Sequence, residues 1–172
     1  MTFPISRGVG TIAATSKWKA AGFALGLLLV GVLVFVVLRL QQPPEGVRPI
    51  IFDRESCAEC GMSISDPRFA AQLQTAGGEV YDFDDPGCLL AFIQEHHPRV
   101  HAMYFHAFDA SVWLTANEVG FVRGVQSPMG YGLAAVRKGT DSAMSLAEAE
   151  QYVRVKKKEL RSGMPPAGGE ER

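Results

Sequence analysis

The chain has no acidic residue before Glu45 and only three cysteines, all between positions 57 and 88. Its eighteen acids therefore give the part from Arg39 onward a net charge of 14 − 18 = −4. A mildly acidic domain is a poor match for nucleic acid, because a phosphate backbone favours a basic surface. The sequence also lacks a Ser/His/Asp spacing and a phosphate-binding glycine loop. We therefore expect no nucleic-acid partner, and no hydrolytic or nucleotide-binding motif stands out.

Charged residues are absent from one long apolar run, which extends over residues 20–38. A helix of that length measures about 28 Å, close to the thickness of one hydrocarbon core. The apolar core of a cleaved signal peptide is shorter, at roughly 7–15 residues. We therefore predict an uncleaved transmembrane helix. Basic residues are nearly balanced across it, and only the closeness of Lys17 and Lys19 to the run favours a cytoplasmic N-terminus.

The remaining composition divides the chain into further segments. We predict a cytoplasmic tail over 1–19, a proline-containing linker over 39–49, a folded domain over 50–160 and a disordered tail over 161–172. Within the domain, apolar patterns predict strands over 69–74, 79–83, 103–108, 112–115, 120–123 and 133–137. Helices are predicted over 86–97, where Asp85-Pro86 forms the start, and over 146–160, where Ser145 and Glu148 form a capping box. The fold class predicted is α+β, with two successive ββα-type units after the N-terminal transmembrane helix.

We expect structural roles for the side chains around the start of the first domain helix. Asp85 is expected to cap the helix, and Asp82 and Asp84 are expected to be solvated. Cys88 lies beside the apolar face of the helix, where a free cysteine commonly behaves as a small buried hydrophobe.

Sulfur-containing side chains are the most informative feature of the domain. Cys57-Ala58-Glu59-Cys60-Gly61-Met62 combines thiols with a thioether, and Met129 occupies a second turn-like segment, Ser127-Pro128-Met129-Gly130. Thiolate and thioether ligands together select a soft monovalent metal, above all Cu(I). An extended backbone from Cys60 to Met62 would project both side chains to one side. The predicted Cu(I) ligands are Cys60, Met62, Met129 and Cys57, and Cys88 is a weaker candidate. One of the four histidines could be an additional ligand, and the sequence does not choose among them; we take His106 as the candidate.

Other functions of the Cys57-x-x-Cys60 pair remain open at this point. Covalent haem attachment is excluded because Gly61, not histidine, follows the second cysteine. A thiol-based enzyme would use the cysteines for dithiol redox or lyase-like chemistry. A structural zinc module would need four ligands, for which Cys88 and a histidine are available, but it would leave both methionines without a role.

Five motifs in a fixed order resemble the NosL family. They cover residues 57 to about 137 and comprise Cys-x-x-Cys-Gly-Met-x-Ile, Asp66-Pro67-Arg68-Phe69-Ala70-Ala71-Gln72, Tyr81-Asp82-Phe83-Asp84-Asp85-x-x-Cys88, Trp113-Leu114-x-Ala116 and Ser127-Pro128-Met129-Gly130-x-Gly132. The resemblance implies two ββα-type units, as in the similar fold of organomercurial lyase. It also makes Cys60, Met62 and Met129 the first candidates for copper, followed by Cys57 and a histidine.

The same resemblance implies a function without chemistry on a substrate. NosL proteins are accessory factors for nitrous oxide reductase, so the expected role is delivery of Cu(I) to that enzyme or to another cuproenzyme, and the chain is not expected to be an enzyme. The expected location is the cytoplasmic membrane, crossed once, with the C-terminal domain in the periplasm near a membrane copper exporter. Family members are often anchored by a lipid on a cysteine, whereas this chain has a transmembrane segment in that place.

Overall fold

The computed structural model of the protein describes residues 14–40 and 43–163, which form two compact units that divide between positions 41 and 42. The predicted tails lie outside the described residues at 1–13 and 164–172.

Helix α1, Ala14–Leu40, makes up the described part of the first unit. It begins before the start predicted for the transmembrane segment at Ala20, so residues 14–19 are helical as well. Residues Gly22–Arg39 have a mean hydropathy of 2.5 and are all exposed. Among the described helices, α1 is the one that is long and apolar enough to cross a membrane, and its position also fits a signal sequence.

The second unit begins with a hairpin followed by a helix. Strands β1 (Ala71–Thr75) and β2 (Val80–Phe83) pair antiparallel, and Gly78 in the turn between them has a φ of 91°. Helix α2, Pro86–His96, starts as predicted, since the Asp85 carboxylate accepts a hydrogen bond from Gly87 N at 2.7 Å. Phe69 forms a 3-10 turn with Pro67 and Arg68, so β1 starts later than predicted.

Two further strands extend this first sheet. Strand β3 (Val100–His106) pairs antiparallel with both β1 and β4 (Trp113–Thr115), which gives the strand order β2-β1-β3-β4. The pairing of β3 with β1 was not evident from local sequence, because it joins residues about thirty positions apart.

A second hairpin and helix complete the fold. Strands β5 (Val119–Arg123) and β6 (Leu133–Arg137) form a two-stranded sheet, and helix α3, Leu146–Gly163, follows. The predicted capping box is present, because Glu148 accepts hydrogen bonds from the backbone N and the hydroxyl of Ser145. The rings of Phe105 and Phe121 meet edge to face at 5.1 Å and join the two sheets. The α+β class is confirmed, with β1-β2-α2 and β5-β6-α3 as the two ββα units.

The end of the predicted linker packs on the first sheet. Gln74 Nε2 donates to the carbonyl oxygen of Gly46 at 2.6 Å, and the backbone N of Arg48 donates to Gln72 Oε1 at 2.8 Å. The Arg48 guanidinium also forms an ion pair with Asp82, which is 6% exposed and accepts from Gln72 Nε2 at 2.7 Å. The expectation that Asp82 is solvated is therefore wrong, because the linker covers it.

Candidate metal centre

A tight turn orients the first two cysteines. Gly61 N donates to the carbonyl oxygen of Cys57 at 2.9 Å, and Cys57 N donates to the carbonyl oxygen of Met62 at 2.8 Å. The turn is attached to the first sheet, because Ala58 N donates to the carbonyl oxygen of Asp82 at 2.9 Å. This contact holds the Cys57–Cys60 turn beside the end of β2, where α2 is about to start.

Asp84 and Cys88 approach the same turn from the connection between β2 and α2. The Sγ atoms of Cys57, Cys60 and Cys88 and a carboxylate oxygen of Asp84 all lie within 4.8 Å of one another. Metal–sulfur bonds of about 2.3 Å place tetrahedral ligands about 3.8 Å apart, so small shifts close this cluster on an ion. All three cysteines are free thiols. The four residues are called the Cys3Asp cluster here.

The carboxylate of Asp84 is only partly satisfied inside the protein. Its Oδ1 accepts a hydrogen bond from the Cys60 thiol, with an S···O distance of 3.6 Å, whereas the buried Oδ2 has no partner among the described residues. Asp84 is 2% exposed, so the expectation that solvent surrounds it is wrong. A buried unpaired carboxylate oxygen is unfavourable unless a cation or proton joins it. The donor set therefore fits a metal ion.

Protons are distributed unevenly over the three thiols. A hydrogen bond from the Cys88 thiol lowers the pKa of Cys57, and the same bond is the main reason why the pKa of Cys88 is raised. Burial raises the pKa of Cys60 to about 12. Cys57 is therefore the thiol that loses its proton most easily, and a metal ion that binds the cluster has to displace thiol protons.

A cavity of 290 Å³ opens onto the cluster and is also lined by Met129 of the second predicted sulfur segment. Its lining comprises Glu59, Cys60, Cys88, Met129, Tyr131, Lys157, Leu160 and Arg161. Asp85, already the cap of α2, brings Met129 there, because its Oδ2 accepts a hydrogen bond from Met129 N at 3.2 Å. The structure thus places Met129, predicted as a ligand, on the wall that Cys60 and Cys88 share.

Two other predicted ligands do not line this cavity. Met62 is 51% exposed, because Gly61 has a φ of +75° and turns the chain between Cys60 and Met62, so the predicted extended backbone is wrong. His106 Nδ1 lies 3.0 Å from the carbonyl oxygen of Ala107, and its ring packs edge to face on Trp113. His106 lines a different cavity, together with Arg48 and Trp113.

Comparison with known proteins gives one structural likeness. No protein-family model matches the chain, and no curated protein sequence matches it either. The chain is similar in fold to the copper chaperone NosL from Shewanella denitrificans, known from a crystal structure, with 22% sequence identity and a TM-score of 0.45. The match covers 66% of this chain and 89% of that chain. The likeness concerns the fold alone, so what this chain binds has to follow from its own side chains.

Asp84 was not among the predicted ligands, and Cys88 was only a further candidate. Both were explained by local roles, solvation for the first and core filling for the second. Asp84 precedes the cap of α2, so helical spacing does not relate it to Cys88. Their approach to the Cys57–Cys60 turn depends on contacts over 24 residues, and no local pattern reveals it.

Proposed function

We propose that this chain binds Cu(I) at the Cys3Asp cluster and delivers it to a cuproenzyme. The observation that carries the proposal is the convergence of three thiols and a buried, half-satisfied carboxylate within 4.8 Å. Sulfur-rich ligand sets bind Cu(I) strongly, and the carboxylate supplies charge beside the cation. No reaction on a substrate is part of this role, so the chain is not proposed to be an enzyme.

Differences in burial among the ligands suggest how the ion is held and then released. Cys57 and Cys88 are 2% and 0% exposed, whereas Cys60 is half-buried and lines the cavity with Met129. A ligand of the receiving protein can therefore approach from the cavity and replace Cys60 first. The Met129 thioether is neutral and soft, so it can share the ion during this exchange without taking up a proton. Met62, exposed beside the turn, is proposed as a thioether that meets the partner.

Nitrous oxide reductase is the proposed client, with another cuproenzyme as the alternative. Support comes from the motifs shared with the NosL family and from the fold likeness to a copper chaperone. Helix α1 is proposed as a single membrane anchor that keeps the domain in the periplasm. Anchoring would raise the local concentration of the domain near a membrane copper exporter, which is the proposed source of the ion.

A structural zinc site is a second candidate, favoured by one observation. Three cysteines and one aspartate provide four ligand atoms, the number that a closed zinc site uses. Zinc would leave Met129 without a role, and its removal should unfold the domain. A thiol-based enzyme has less support, because Cys57, the thiol with the lowered pKa, is almost fully buried.

Anaerobic titration with Cu(I) against a chromophoric chelator tests the proposal. We expect one ion per chain, and a large loss of affinity in Cys57→Ser, Cys60→Ser and Cys88→Ser. The matched control for Met129→Leu is Met103→Leu, because Met103 of β3 is also a partly buried methionine. Retention of zinc against excess Cu(I), together with unfolding by a zinc chelator, would favour the zinc site instead.

A further inference from the structure

The last turns of α3 border the proposed copper site. Lys157, Leu160 and Arg161 line the cavity that also contains Cys60 and Met129. Associative transfer requires the accepting ligand to touch the ion before the donor lets go. If Cu(I) leaves through this cavity, which rests on the proposed function, the receiving protein has to contact this end of α3.

This surface carries positive charge although the domain is acidic overall. A groove of 330 Å³ between α2 and α3 shares Lys157 and Arg161 with the copper cavity and adds Arg154 and Lys158. We call these four residues the basic groove. Glu95 is the one acid among the lining residues, so the lining has a net charge of 4 − 1 = +3. The part of the chain from Arg39 onward has a net charge of −4.

Carboxylates of the chain itself already bind part of the basic groove. Lys157 forms ion pairs with Glu95 of α2 and with Glu59, which lies between Cys57 and Cys60. Arg161 binds Glu95 at 3.2 Å. Arg154 and Lys158 are exposed and form no ion pair with any residue that the structure describes, so they are available to further carboxylates.

We propose that the basic groove docks an acidic segment of the copper-receiving protein and so brings the accepting ligand to the copper cavity. Charge complementarity of this kind mainly raises the rate of association and fixes orientation. Because Lys157 also binds Glu59, carboxylates of the partner compete for the same lysine that holds the copper-binding turn. Anionic lipid head groups are the competing occupant, and the experiment separates them.

The test uses the full chain in nanodiscs of neutral phosphatidylcholine, free of metal for peptide binding and loaded with Cu(I) for transfer. Two fluorescent peptides carry the same Cys-x-x-Cys acceptor motif. The residues that flank the motif are rich in Glu in one peptide and rich in Lys in the other. We expect the Glu-rich peptide to bind at least about tenfold more tightly at low salt and to receive Cu(I) from the loaded chain about tenfold faster. The variant Arg154→Glu/Lys158→Glu should lose both preferences and keep its Cu(I) affinity. The matched control is Arg99→Glu/Lys138→Glu, the same charge change at exposed positions outside the groove.

Three results would overturn the proposal. The first is equal binding of the two peptides, and the second is a loss of peptide preference in the control variant as large as in the groove variant. The third is loss of peptide binding once anionic phosphatidylglycerol is added to the nanodiscs, which would assign the groove to lipid. Peptide binding is measured without metal. Failure of the chain to bind Cu(I) would therefore reject the proposed function and leave the groove measurable.

Discussion

The substitution Asp84→Asn tests whether Asp84 is a metal ligand or an ordinary buried acid. The substitution keeps the shape of the side chain and removes the charge of a carboxylate that is 2% exposed, with one oxygen unpartnered. Leaving a buried polar group unsatisfied costs about 1–3 kcal/mol, and more for a charged one. The Asn amide is neutral and can donate to a neighbouring sulfur. We therefore expect Asp84→Asn to raise the free energy of unfolding of the metal-free protein by about 1 kcal/mol.

Copper affinity should change in the opposite direction. Loss of a metal-contacting or supporting carboxylate typically lowers metal affinity by about 10- to 100-fold, which corresponds to about 1.4–2.8 kcal/mol. Urea titration of the metal-free chain, followed by near-ultraviolet circular dichroism, measures the first effect. Anaerobic chelator competition measures the second.

Asp82 provides the matched control, since it is another buried aspartate, two residues away, whose carboxylate already has partners. Asp82→Asn weakens the ion pair with Arg48, so it should destabilise the protein by about 1–3 kcal/mol and leave Cu(I) affinity unchanged. The reasoning is refuted if both variants destabilise the metal-free protein equally and neither affects Cu(I).

Three more predictions concern neighbouring residues. Cys60→Ser should lower Cu(I) affinity strongly, whereas Met129→Leu should mainly slow transfer to a chelator in stopped flow; equal affinity losses would contradict a role of Met129 in exchange. Gly87→Ala would place a Cβ 2.2 Å from the ring of Tyr131, so that wall of the copper cavity has to shift. We expect the free energy of unfolding in a urea titration to fall by about 1–3 kcal/mol and Cu(I) binding to weaken. A variant as stable as the wild type would show that the contact is unimportant. Ser145→Ala removes the cap of α3 and should lower the free energy of unfolding by about 0.5–2 kcal/mol without changing Cu(I) affinity. An altered affinity would mean that α3 supports the site more directly than its contacts suggest.

Local chemistry explains which parts of the fold were predictable. Asp85-Pro86 and the Ser145–Glu148 box place helix starts through contacts within a few residues, so the sequence alone was sufficient. The pairing of β3 with β1, and the cover that Arg48 provides for Asp82, join residues that are distant in the chain.

The same distinction applies to the candidate site. The Cys57–Cys60 spacing and the sulfur of Met129 were visible as patterns, and the structure brings both segments to one cavity. The burial of Asp84 depends on the turn that packs over it, and the exposure of Met62 depends on the backbone angle of Gly61. Neither property can be read from residue type or spacing.

The Cys3Asp cluster draws its ligands from two stretches of chain, and β1 and β2 lie between them in sequence. An ion held by both stretches would act as a cross-link that closes a loop around the first hairpin. Loss of the ion would free these stretches to separate, so amide hydrogens near residues 57–62 and 84–88 would exchange faster. A loaded and an empty carrier would then differ in local order as well as in cargo, which gives proteases and partners a way to distinguish them.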